Sequence, residues 1–157
     1  MKIFVALVHL IFATTWLGST FFYTVVLQPK LNALQTAERR ALARSLRATM
    51  TPLLATSALL TIASGLVMMV QLHHLHPGSF SHTRWGLALI IGALASVGAL
   101  TIAFAIEAPA ARRSARLEDG GRASDLAQPF GRERSARLIA LALLFLALAT
   151  MAVARYS

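Results

Sequence analysis

The sequence predicts an all-α fold: an integral membrane bundle of four transmembrane helices with almost no soluble domain. Three observations predict it. Of the 157 residues, 57% are hydrophobic and only 13% charged, about half the charged fraction of a soluble domain. Four apolar runs each approach the roughly 20 residues that a spanning helix requires. The charges fall between those runs and leave their middles uncharged.

Taken in order, the spans are expected at about 3–27, 51–72, 85–108 and 138–154, in one transmembrane domain covering 1–157. Lys2 ahead of an apolar run resembles the start of a signal peptide. The run is too long for that and lacks a small-residue cleavage site near its end, so it reads as a retained helix. The connection 28–50 holds Lys30, Arg39, Arg40, Arg44 and Arg47, and the connection 109–137 holds seven arginines. Together they carry twelve of the fifteen Lys and Arg residues. The positive-inside rule puts both in the cytoplasm, and with them both termini and the connection 73–84 outside. The bias toward Arg, Ala and Leu points to a bacterial inner (plasma) membrane. A formal charge of +9 invites a nucleic-acid reading, but the charges flank spans and form no separate basic domain.

Two readings fit the first connection. Leu31, Leu34, Leu42 and Leu46 share one sector of a helical projection while Arg40, Arg44 and Arg47 point the other way, as in a helix lying on the inner membrane surface among anionic headgroups. Glu38 interrupts the apolar sector. The alternative is a cytoplasmic extension of the second span with snorkelling arginines. In the third connection Pro109, Gly120, Gly121, Pro129 and Gly131 act as breakers, which predicts a mobile basic loop with short helical ends.

Candidate chemistry concentrates on histidine. There is no cysteine, so disulfides, thiolate metal sites and a Cys nucleophile are excluded. No phosphate-binding Gly loop, H-E-x-x-H or G-x-S-x-G occurs, so an enzyme is the less favoured class. His9 lies in the first span, where a polar group is costly and faces the bundle interior. One face of that helix reads His9, Phe12, Ala13, Trp16, Thr20, Tyr23. It is either a packing seam with a hydrogen-bonded histidine or the wall of a metal or haem site. The second connection carries His73, His74, His76 and His82, placing all five histidines of the chain at the outer side. Imidazole suits copper, zinc and haem iron; the bland alternative is a solvated His-rich loop. Met68 and Met69 offer thioethers, which favour Cu(I), although a Met pair in an apolar helix is more often filler. Gly86, Gly92 and Gly98 recur every six residues in the third span and read as close helix packing, with room for a flat macrocycle as the alternative.

The segment VHLIFATTWLGSTFFYTVVLQPKL resembles the opening of small four-helix proteins of the copper-resistance D type. His9, Trp16, Leu17, Gly18, Phe21, Phe22 and Pro29 fit that outline, with Ser19 where the second glycine of the usual pair stands. Ser64-Gly65-Leu66-Val67-Met68-Met69 resembles the family's Gly-then-Met stretch, and Arg39, Arg40 and Leu42 fall in its basic cytoplasmic segment. The likeness covers roughly residues 5–70. It implies copper handling across the inner membrane, or haem binding as in related four-helix families, with His9 carried over as a ligand. The HHLH cluster lies outside the resemblance.

Three expectations follow. The first is a copper-handling membrane protein using His9 with His73, His74, His76 or His82, fed by a periplasmic metal carrier. The second is a b-type haem electron-transfer protein with His9 and His73 or His74 as axial ligands and Trp16 beside the cofactor. The third is a non-catalytic subunit of a larger membrane complex, its basic loops docking a partner.

Overall fold

The computed structural model describes residues 2–34, 36–75, 83–118 and 130–156. Every described element is helical. The order is α1 (Lys2–Phe21), a π-helical turn (Phe22–Leu27), α2 (Gln28–Ala33), α3 (Thr36–Leu75), α4 (Arg84–Glu118) and α5 (Phe130–Tyr156). Four segments are long and apolar enough to cross a membrane: Ile3–Leu31, Ala48–Gln71, Arg84–Ala105 and Ser135–Ala154. The first span therefore comprises α1, the π turn and α2 together.

The π turn has a local cause. Pro29 has no N–H, and its ring collides with the carbonyl four residues earlier in a regular α-helix. Widening the preceding turn relieves that collision, and the backbone N–H of Gln28 bonds the carbonyl of Tyr23, five residues back. Pro52 and Pro109 also lie inside helices, α3 and α4. Each orphans a carbonyl four residues earlier, on Ala48 and Ala105, at the boundary of a span. All three described prolines thus sit at one end of the bundle, where interfacial water can serve the freed carbonyls.

The connections are more helical than the pattern of breakers predicts. α3 runs unbroken from Thr36 into its span, which favours an extension of the second span over a separate surface helix. α4 continues through Pro109 to Glu118 and α5 begins at Phe130, while residues 119–129, with Gly120, Gly121 and Pro129, lie outside the described residues. His76 and His82 lie outside them too.

α4 packs closely on α5 and α1 on α3, and the contacts of α3 with α4 and of α1 with α5 are thinner. The radial sorting inverts that of a soluble protein. The buried residues are mostly small, among them Ala58, Ala88, Ala95, Ala99, Ala140, Ser57 and Ser96, whereas Phe4, Leu10, Ile11, Leu59, Leu94 and Phe104 are exposed. Small residues inside let helices approach, and large apolar ones outside match a hydrocarbon solvent. At Gly92 an added Cβ would stand 2.7 Å from Oγ1 of Thr150 and 3.5 Å from the carbonyl oxygen of Ala147 on α5. Its missing side chain is what permits the α4–α5 approach.

Leu31, Leu141 and Leu144 are also buried, and the largest exception to small-inside is Trp16. It is 4% exposed and packs with Ala58 of α3, Ala99 of α4, and Ala140 and Leu144 of α5. One indole thus fills the waist of the bundle among residues from all four spans. Toward the end carrying the prolines, the Arg137 guanidinium lies 4.7 Å from the centroid of the Tyr23 ring. Phe21 and Phe145 meet edge to face with centroids 6.4 Å apart.

Candidate metal site beside His9

His9 lies on α1 seven residues before Trp16, about 10 Å from the waist toward the end that carries both termini. Its Nδ1 is 2.9 Å from the carbonyl oxygen of Thr61 and 3.1 Å from Oγ of Ser64, both on α3. A carbonyl oxygen only accepts, so Nδ1 carries the proton and donates. The Ser64 hydroxyl donates in turn to the Leu60 carbonyl, which leaves its oxygen free to accept from the imidazole. In the neutral ring this tautomer presents Nε2 with an unshared lone pair, and Nε2 has no hydrogen-bond partner among the described residues. Fixing the tautomer through a backbone carbonyl is how ligating histidines are held.

Gly65 makes room for this ring. A Cβ there would lie 3.1 Å from Cε1 and 3.4 Å from Nδ1 of His9. Thr61, Ser64 and Gly65 fall on one face of α3, three and four residues apart, so a single helical turn supplies both acceptors and the space.

His9 lines a cavity of about 430 Å³ in the terminal half of the bundle. Its walls come from all four spans and are mostly apolar. Met68 and Met69 of α3 and Met151 of α5 share that lining with His9, as does Trp85 of α4. Three of the chain's five methionines thus surround the cavity into which one bare imidazole is set. Met151 is 142 positions from His9 in the chain; no sequence spacing links them. Only the antiparallel packing of α1 and α5 does so.

The other predicted ligands fall differently. His73 and His74 lie on the last turn of α3, eight and nine residues beyond Gly65. That is about 12 Å further along the helix axis than the turn bonded to His9. Among the described residues there is no group of three or more His, Cys, Asp or Glu able to hold a metal ion. The soft donors that share the cavity lining with His9 are instead the thioethers of Met68, Met69 and Met151. Trp16, expected beside a cofactor, lines the waist; its packing partners are Ala58, Ala99, Ala140 and Leu144.

No protein-family model, no curated protein and no solved structure matches the chain.

Proposed function

We propose that the protein is a multi-pass membrane protein that holds copper as Cu(I) in the cavity beside His9. The observation that carries this reading is the shared lining: an imidazole held through Nδ1 with a bare Nε2, and the thioethers of Met68, Met69 and Met151. Soft thioether donors select Cu(I) over harder divalent ions, and imidazole completes such a set. None of the four donors needs to lose a proton to bind, so the site suits a monovalent ion in an apolar wall. The hydrogen bonds from Nδ1 orient the ring and raise the basicity of Nε2.

The same reading sets the direction of access. With both basic connections in the cytoplasm, the cavity lies in the outer half and Trp16 separates it from the cytoplasmic end. An ion is then received from outside, consistent with delivery by a periplasmic carrier. Resemblance of the first span to the copper-resistance D type supports the reading, and His9 is the residue common to both arguments. The His-rich connection 73–84 would act as a collecting site above the cavity. A b-type haem at His9 and assembly into a larger complex are the competing readings.

The test is an anaerobic Cu(I) titration of the purified protein against a competing chelator. The wild type is expected to bind one ion more tightly than H9A, with M151L intermediate. An affinity unchanged in H9A overturns the proposal. A Soret band in the purified protein that disappears in H9A moves the assignment to haem.

A further inference from the structure

The cavity beside His9 is much larger than an ion needs. A Cu(I) ion occupies only the space between its donors, whereas about 430 Å³ falls in the range of sites that enclose a whole organic ligand. Most of the wall away from His9 is hydrocarbon, including Ile62, Leu66, Leu89 and Val97. Two of these residues also face outward: Leu66 is 55% and Val97 47% exposed. The cavity therefore opens sideways through the thinly packed seam between α3 and α4.

The depth of that opening identifies what lies against it. Leu66 is five residues from Gln71 and Val97 thirteen from Arg84, the span ends on that side. At 1.5 Å per residue the opening extends from about 7 to 20 Å below the terminal end of the bundle. The hydrocarbon core is about 30 Å thick, so most of the opening lies in the leaflet facing the termini and its deep end reaches the midplane. At that depth the surrounding medium is acyl chain. An apolar cleft left vacant beside it would forfeit the dispersion contacts of its whole lining, and water there would find few polar partners.

We infer that an acyl chain of a phospholipid from the leaflet at the terminal end enters between α3 and α4, occupies the part of the cavity lined by Ile62, Leu89 and Ala93, and closes the lateral opening of the His9 site. The inference concerns a lipid site and stands whether or not copper binds. Its link to the copper reading is only that the chain would exclude water from the ion.

The experiment uses the full chain, metal-free, in vesicles doped with a phospholipid bearing a diazirine at mid-chain. After irradiation, labelled positions are mapped by peptide mass spectrometry. Labelling is expected at Ile62, Leu89 or Ala93, inside the cleft, as well as at the exposed Leu94. In A93F, whose ring fills the cleft, the interior labelling falls severalfold while that at Leu94 is unchanged. A93L provides the same comparison with less added bulk. Labelling confined to Leu94 and other outward positions overturns the inference. So does interior labelling that A93F and A93L leave unchanged, or that a small admixture of isoprenoid quinone abolishes, since the occupant would then be a different molecule. Cu(I) affinity, titrated separately, reports on the metal reading alone.

Discussion

Nδ1 of His9 stands 2.9 Å from the carbonyl oxygen of Thr61, and that contact joins two spans while setting the tautomer of the ring. Ser64 is the second acceptor, at 3.1 Å. S64A removes one of the two acceptors and leaves the carbonyl, so the ring keeps its tautomer but loses part of its hold. The expected loss of Cu(I) affinity is about tenfold, at the lower end of the 10–100-fold typical of outer-shell partners, and well below that of H9A. An S64A effect equal to that of H9A would mean that the hydroxyl, and not Nε2, is the group that matters.

Gly65→Ala tests the space made for the ring. The new methyl meets Cε1 of His9 at 3.1 Å, so the imidazole must shift by a few tenths of an ångström. Alanine is the better helix former by about 1 kcal/mol, so thermal stability in detergent is expected to hold or rise. Cu(I) affinity is expected to fall about tenfold. The histidine side-chain resonances of His9 should move in the same variant, and unmoved resonances with full affinity would contradict the cradle assigned to Gly65.

The α4–α5 contact makes a separate prediction. Gly92→Ala places a Cβ 2.7 Å from Oγ1 of Thr150, a hydroxyl that donates to the carbonyl of Ala147 at 2.9 Å. The two helices must part or Thr150 must turn, at a cost of about 1–3 kcal/mol. Unfolding in mixed micelles should show that loss, and T150A in the same chain should recover most of it. Failure of T150A to rescue would place the strain on the Ala147 backbone, 3.5 Å away.

Trp16→Ala should be the most damaging of the apolar substitutions. The indole is 4% exposed, and the buried residues clustered with it are three alanines and Leu144, too small to fill the gap without movement of the helices. A loss of about 3–5 kcal/mol is expected, with W16F intermediate. A loss under about 1 kcal/mol would mean that the waist collapses around the vacancy, and that Trp16 does not hold the four spans apart.

The spans were legible because each is a local property, an apolar run of sufficient length. So was His9, because a polar residue inside such a run has few places to go. The helical extents were not legible from the breakers. Pro52 and Pro109 interrupt a backbone pattern only where the orphaned carbonyl has no other partner, and at a span boundary it does. The π turn is the structural consequence of Pro29, and a proline read only as marking the end of a span gives no sign of it. The presence of Met68, Met69 and Met151 in one cavity lining with His9 was hidden for a different reason. It depends on which faces of α1, α3 and α5 meet, and apolar spans carry little amphipathic signal to reveal that. Met68 and Met69 read as filler when seen alone; their place in the lining of one cavity with His9 and Met151 is what changes their weight.

The most direct test of the copper site is X-ray absorption at the copper edge on the protein loaded with one equivalent of Cu(I). The account predicts sulfur scatterers from the methionines together with a single imidazole, and loss of the imidazole contribution in H9A. A first shell made only of nitrogen and oxygen, unchanged in H9A, would contradict it and assign the ion to the connection that carries His76 and His82.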